Sequence, residues 1–294
     1  LIIKERYVLK MNQSLTRQFF RFTIPTILSM VAFSLYTLVD GIFVAKGVGE
    51  TALAAVNLSS PYNSVMFAAG LLLAVGMSTT IAIRLGNGKH HEASSLFTRN
   101  LIVAVAVSIV LSVLTLLNLR SVAQFLGAEG DTLGYVMEYV GGVSPFAVFF
   151  ICSYNMEILV KTDGTPLLST IGVSLAGVTN LVLDWLFVMI FHWGVRGAAV
   201  ATGLAQVVST VLYLYYFAKH SKQLHFVKVS LKPSEFKIYR RTLPLGVADS
   251  ITEMSNGVVL FAFNQTILRL IGESGVVSYT VIGYVNTLVL MVMS

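Results

Sequence analysis

The chain has 294 residues, of which 55% are hydrophobic and 12% are charged, and its mean hydropathy is +0.78. Soluble globular domains carry about 25% charged residues, so the composition excludes an ordinary soluble domain and indicates lipid as the main solvent. The formal net charge of +6 raises the question of a nucleic-acid partner, which the positions of the basic residues answer below.

Apolar segments long enough to cross a membrane recur along the whole chain. A spanning helix needs about 20 apolar residues, and a transmembrane barrel would instead show short strands of alternating polarity. We therefore predict an all-α, polytopic membrane protein with eight spans. The predicted spans are residues 22–44, 58–83, 101–119, 135–160, 167–191, 197–217, 243–268 and 275–294.

Lysine and arginine are distributed unequally between the two sides of the predicted membrane. With the N-terminus in the cytoplasm, the inner segments hold sixteen of these residues and the outer segments hold four. This asymmetry follows the positive-inside rule and predicts a cytoplasmic N-terminus. We expect a multi-pass protein of the cytoplasmic (inner) membrane of a prokaryote. The basic stretch 219–242 is then a cytoplasmic loop that faces anionic lipid rather than nucleic acid.

Cysteine and histidine are placed unfavourably for catalysis. Cys152 is the one cysteine in the chain, which excludes an intramolecular disulfide and a cysteine-based metal site. A membrane-embedded protease or acyl transferase would need a histidine, a metal motif or a nucleophile–base pair within the spans. All five histidines lie in predicted loops or at span ends. We predict neither enzyme activity nor a cofactor.

A short internal repeat relates the start of the chain to its end. Residues 20–25 resemble residues 239–244, and residues 49–51 resemble residues 272–274. Each copy has basic residues before a predicted span, a proline in the first turn of that span, and a short outer loop after it. Six predicted spans separate the copies, so both begin on the same side of the membrane. This is the pattern of a parallel repeat, as in the halves of some secondary transporters.

The repeat predicts four regions. Residues 1–21 form a cytoplasmic segment, whose first ten residues we expect not to be native. Residues 22–218 form a first six-helix lobe, and residues 219–242 form a cytoplasmic linker. Residues 243–294 form the first two helices of a second lobe. Because the chain stops inside an apolar run, we expect the second lobe to be truncated.

Four polar residues of the first lobe are predicted to lie at a similar depth. An ionisable side chain within the membrane costs at least about 2.5–3.5 kcal/mol on insertion scales, so it indicates a function. Depths counted from the span ends, at a rise of about 1.5 Å per residue, place the four in the outer part of the bilayer. They are Asp40, Asn180, Asp184 and Thr202.

These four residues suit a small cation or a proton. Asn180 and Asp184 are four positions apart, which puts them on one face of a helix. Two carboxylates, an amide and a hydroxyl offer hard oxygen ligands for sodium, and no other metal is expected. Alternatively, two carboxyl groups at low dielectric share a proton. A third interpretation is that Asp40 and Asp184 only anchor helix ends at the headgroups.

A second set of residues is predicted to line a substrate cavity. Asp249 and Glu253 lie one turn apart in the seventh span, and Glu253 is about 15 Å along it, near the midplane. The alternative for this pair is an interhelical hydrogen bond. Phe149 and Tyr154, in the fourth span, offer aromatic surface for flat organic cations, although packing or lipid contact is the alternative for each ring.

Seven short segments carry a resemblance to a known family through their order and spacing. They are residues 39–44, 52–56, 84–88, 163–166, 180–184, 194–199 and 201–202. Together they resemble the multidrug and toxic compound extrusion (MATE) family of transporters, and the likeness covers nearly all of residues 12–294. The resemblance implies a MATE-like fold of two six-helix lobes around a V-shaped cavity, with the second lobe incomplete here.

The resemblance also implies a function. It suggests an antiporter, driven by H⁺ or Na⁺, that exports amphipathic and often cationic organic compounds by alternating access and is a monomer when complete. In family terms Asp40, Asn180, Asp184 and Thr202 match the cation and protonation site of the first lobe, and Glu253 is similar to an acidic residue of the seventh span. The alternative within the superfamily is a lipid-linked oligosaccharide flippase, which would favour basic residues in its cavity; these spans offer almost none.

Overall fold

The computed structural model describes Phe20, residues 23–24, 27 and 31, and then residues 37–230 and 232–293. For residues 287–293 it describes the backbone only. The predicted non-native residues 1–10 and eleven of the 23 residues of the first predicted span lie outside the described residues.

The described part of the chain folds into ten α-helices and no strands. They are α1 (residues 37–47), α2 (Glu50–Gly86), α3 (His90–Leu117), α4 (Leu119–Phe125), α5 (Gly130–Val143), α6 (Ala147–Thr162), α7 (Pro166–Asp184), α8 (Gly194–Lys219), α9 (Tyr239–Leu270) and α10 (Glu273–Met293). A short 3-10 turn, Ser144–Phe146, joins α5 to α6, and another, Pro233–Ile238, leads into α9. A π-helical turn, Trp185–Ile190, extends α7.

The helices confirm the polytopic membrane fold. Among the described residues, five helical segments are long and apolar enough to cross a membrane, and they coincide with the second to sixth predicted spans. They are Glu50–Gly86, His90–Leu117, Gly130–Thr162, Pro166–Ile190 and Gly194–Lys219. Helices α9 and α10 occupy the positions of the seventh and eighth predicted spans, and neither is among the five. Helix α9 carries several polar side chains.

Exposed apolar side chains fit a lipid environment. Along α3, Ile109, Val110, Val113 and Leu114 are each about half exposed. Soluble proteins rarely leave a continuous apolar surface of this kind open to water. The exposure of this face of α3 is therefore consistent with a helix in a membrane.

Helix α2 is the centre of the packing. It contacts α3, α5, α6, α9 and α10. Its first turns carry buried alanines, among them Ala52, Ala54 and Ala55. Small side chains let helix backbones approach closely, which is how membrane helices gain van der Waals contact.

Glycines bring α2 and α9 into direct backbone contact. A methyl group on Gly76 of α2 would overlap the carbonyl of Thr242, and one on Gly246 of α9 would overlap the carbonyl of Leu72. We call Gly76 and Gly246 the glycine seam. It attaches α9, which follows the predicted linker, to α2, which precedes it.

Asp163 fastens the linker to the end of the bundle. Its buried carboxylate accepts hydrogen bonds from the hydroxyls of Tyr216, at 2.6 Å, and Ser221, at 3.0 Å. It also accepts from the backbone N–H groups of residues 222–224, at 3.0 to 3.1 Å. One side chain thus orders the first residues after α8.

We expect Asp163→Ala to make the first residues of the linker less ordered and more accessible to protease. The backbone N–H groups of Lys222 and Gln223 lose their acceptor, whereas that of Leu224 keeps the hydroxyl of Ser221. Even about 1 kcal/mol lost from linker ordering raises the open population roughly fivefold. Limited trypsin digestion should then cut after the exposed residues Lys222 and Lys228 at a correspondingly higher rate. Asp131→Ala, which removes an exposed acid of α5, is the control. Equal cleavage rates in the two variants would contradict the role given to Asp163.

Candidate functional site

Two buried carboxyl groups meet between α1 and α7. Asp184, at the last position of α7, is fully buried, and Asp40 of α1 is 9% exposed. The two side chains lie within hydrogen-bonding reach of each other. Two ionised carboxylates have no proton to donate, and neither Asp184 oxygen, nor Oδ1 of Asp40, has a donor among the described residues. A proton shared by the two carboxyl groups, or a cation bound between them, would supply the missing partner.

The amide and the hydroxyl predicted from the sequence lie beside this pair. Asn180 is buried one turn before Asp184 and close to it, and its Nδ2 donates to Oγ1 of Thr202 at 3.3 Å. Thr202 in turn donates to the carbonyl of Ala198 at 2.9 Å. Oδ1 of Asn180 is buried and, among the described residues, receives no donor. The structure thus brings together all four residues of the predicted cation site.

Two tyrosines that were not predicted from the sequence also lie near the carboxyl pair. Tyr139 of α5 is buried beside Asn63 of α2 and lies near both carboxyl groups. Tyr284 of α10 lies near Asp40 and packs against Gly41, whose lack of a side chain allows this approach. A tyrosine and an asparagine within apolar spans are weak sequence signals, because either is compatible with ordinary interhelical hydrogen bonding.

A change of helix type in the backbone occurs directly after Asp184. The α-helical hydrogen-bond pattern of α7 ends at Asp184, and the next six residues, Trp185–Ile190, wind as a π-helix. Such turns are rare and occur frequently at functional sites. Val188 in this turn lies against Gly47 at the end of α1. The π-helical turn therefore helps to hold α1, and with it Asp40, against α7.

The predicted cavity residues are only partly brought together. Tyr154 lines a cavity of about 40 Å³ and its ring centroid lies 5.2 Å from that of Phe67. Glu253 is half-buried and close enough to Tyr154 for an electrostatic interaction. A cavity of this size holds about one water molecule rather than an organic compound. A substrate contact for Tyr154 and Glu253 stays a prediction.

The other two predicted cavity residues lie apart from this group. The ring centroid of Phe149 is 6.4 Å from that of Phe146, and its backbone carbonyl accepts a hydrogen bond from Thr210 of α8. Asp249 is exposed on α9. Their roles as substrate contacts also stay predictions.

The ligand atoms at the carboxyl pair and beside it are oxygens. Among the residues that the structure describes, no group of three or more histidine, cysteine, aspartate or glutamate side chains is placed to hold a metal ion. Two carboxylates with neutral amide and hydroxyl oxygens suit only hard cations, which prefer oxygen ligands.

Comparison with known proteins gives consistent similarities. A family model described as MatE matches residues 25–186, a little over half of the chain. A multidrug export protein MepA of Staphylococcus saprophyticus subsp. saprophyticus is 24% identical over 210 residues, which are 71% of this chain and 47% of that protein.

Two solved structures share the fold. A crystal structure of MATE in complex with MaD3S is 27% identical with a TM-score of 0.79, over 92% of this chain and 61% of that one. An inward-facing multidrug resistance MATE family transporter of the MOP superfamily is 25% identical with a TM-score of 0.76, over 87% of this chain and 60% of that one. The chain thus spans between 47% and 61% of the lengths of these proteins.

Proposed function

Because the chain belongs to the MatE family, we propose that it acts in a cation-coupled antiporter that exports amphipathic, often cationic organic compounds. The observation that carries this proposal is the buried Asp40–Asp184 pair, with Asn180 and Thr202 beside it. The relatives named as multidrug export proteins support the type of cargo. The excess of basic residues in the predicted inner segments supports a cytoplasmic N-terminus.

The coupling ion is H⁺ or Na⁺. It changes the conformational equilibrium by removing the repulsion between the two carboxylates. Two carboxylates in contact in a low-dielectric setting repel each other, and a proton or a sodium ion between them removes that repulsion. Ion binding therefore favours the arrangement in which α1 and α7 are close. An ion shifts a conformational equilibrium only as far as it binds one arrangement better than the other, and this site meets that condition.

Contacts around Asp40 link the ion to the second predicted lobe. Gly41 follows Asp40 and touches Tyr284 of α10. A movement of α1 that separates Asp40 from Asp184 must also change this contact. Ion occupancy in the first lobe is thereby coupled to the position of α10, which is what exchange of an ion for a substrate requires.

Export is tested directly in cells that lack their own drug pumps and express the gene encoding this chain. We expect severalfold lower accumulation of a fluorescent organic cation than in cells with an empty vector. De-energising the membrane with an ionophore should remove the difference. Dye accumulation equal to the empty-vector cells, for a panel of cationic dyes, would contradict multidrug export and favour a different cargo within the superfamily.

We expect Thr202→Val to weaken ion binding by roughly fivefold, because the buried amide of Asn180 loses its acceptor, at a cost of about 1 kcal/mol. Ion binding is measured as the rise in unfolding temperature with sodium chloride against choline chloride, or with falling pH. Unfolding is followed by labelling of Cys152, the one cysteine and a buried one.

Thr210→Val is the matched control for that measurement. It lies on the same helix, and its hydroxyl bonds the carbonyl of Phe149 rather than a group of the cation site. Its ion dependence should equal that of the unaltered protein. The same ion dependence in Thr202→Val as in Thr210→Val would exclude Thr202 from the site.

A further inference from the structure

A polar cavity of about 480 Å³ lies where α2 ends and α3 and α9 begin. Its lining includes Arg84 of α2 and Arg99 of α3. It also includes Lys237, in the 3-10 turn, and Arg241, in the first turn of α9. The cavity therefore joins the helices before the linker to the helix after it.

The charges around the cavity favour an anion. Its lining contains four lysine and arginine residues and two glutamates, with His91 as a further titratable group. The glutamates are already engaged, since Glu92 pairs with Arg84 at 2.7 Å and Glu235 pairs with Arg99 at 2.8 Å. Among the described residues, neither Lys237 nor Arg241 has an ion-pair partner. With neutral histidine, the lining keeps two uncompensated positive charges.

Arg99 adds a second, independent observation. It is only 6% exposed, although it carries a permanent charge. Its Nη2 donates to Glu235, but its Nε is buried with no acceptor among the described residues. A buried guanidinium donor without an acceptor is unfavourable. The planar fork of arginine matches phosphate oxygens, which can accept from two of its nitrogens at once.

We propose that this cavity binds a phosphate group, held by Arg99, Lys237 and Arg241. The group comes either from the headgroup of an anionic phospholipid or from a free phosphate. Basic pockets between helices on the cytoplasmic side of a membrane commonly bind lipid headgroups. The inference rests on the proposed function only for the orientation, which places this cavity on the cytoplasmic side. A bound phosphate bridges α3 and α9 and so strengthens the attachment that the glycine seam provides.

The test uses the whole chain and the unfolding temperature reported by labelling of Cys152. In one arm the detergent-purified protein is titrated with inorganic phosphate against chloride at equal ionic strength. In the other arm it is placed in nanodiscs of phosphatidylglycerol or of phosphatidylcholine. The variant Lys237→Gln with Arg241→Gln removes two lining charges while leaving the buried Arg99 in place. The control, Lys228→Gln with Arg240→Gln, removes two exposed charges that do not line the cavity.

We expect stabilisation of about 3 °C in at least one arm, present in the unaltered protein and the control and lost in the cavity variant. Stabilisation by phosphatidylglycerol alone identifies the lipid as the source, and stabilisation by inorganic phosphate identifies the free ion. No stabilisation in either arm, or an equal loss in the control variant, overturns the proposal. Because the readout involves no transport, its failure is separate from a failure of the dye-export experiment.

Discussion

Asp184→Asn should lower the rate of organic-cation efflux by about tenfold or more. An asparagine has the shape of the aspartate but carries no charge and does not exchange a proton at neutral pH. The pair with Asp40 then no longer repels when empty and no longer gains from an ion. Asp40→Asn should have the same effect, because the site needs both carboxyl groups.

The unfolding temperature distinguishes a role of Asp184 in ion coupling from a role in anchoring the end of a helix. Removing one member of a buried pair of like charges relieves repulsion, so Asp184→Asn should unfold at the same temperature as the unaltered protein or at a higher one. A carboxylate that only anchored a helix end would instead lose stability when replaced. Asp131→Asn, an exposed acid on α5, is the control and should leave export unchanged. Normal export by Asp184→Asn would exclude the carboxyl pair from coupling.

Gly76→Ala should destabilise the protein by about 1–3 kcal/mol, the usual range for a methyl group forced into a filled space. The new methyl group would overlap the backbone of Thr242, and a backbone carbonyl cannot rotate away as a side chain can. Gly246→Ala should have a similar effect through Leu72. The double variant should cost less than the sum, because either change alone already separates α2 from α9.

The control for the glycine seam is Gly134→Ala in α5, where no atom lies within 4 Å of the position that the methyl group would take. This change should be neutral or should stabilise the helix by up to about 1 kcal/mol. All four variants are compared by the unfolding temperature from labelling of Cys152. A Gly76→Ala protein as stable as Gly134→Ala would show that α2 and α9 are not in close contact.

Much of the fold follows from the sequence, because a membrane restricts what an apolar segment can do. Segments of the length of Pro166–Ile190 have no stable form in lipid except a helix, and five of the predicted spans correspond to such helices. The grouping of Asp40 with Asp184 was also predictable, since the rise of a helix converts sequence position into depth.

Features that depend on how helices face one another were not predictable. Phe149 and Tyr154 are five residues apart, so they point about 140° apart around their helix, and only one of them reaches the small cavity near Glu253. The approach of Tyr284 to Gly41 joins positions that are far apart in the chain. The π-helical turn after Asp184 has no composition that marks it, because Trp185–Ile190 reads as an ordinary apolar segment.

The most direct measurement of coupling is gradient-driven transport by the purified protein in liposomes. A sodium or a pH gradient is imposed, and uptake of a labelled organic cation is followed against its own concentration gradient. We predict that one of the two gradients drives accumulation by the unaltered protein and that neither drives it in Asp184→Asn, with both proteins equally folded. Equal accumulation by the two proteins would contradict the assignment of ion coupling to the Asp40–Asp184 pair.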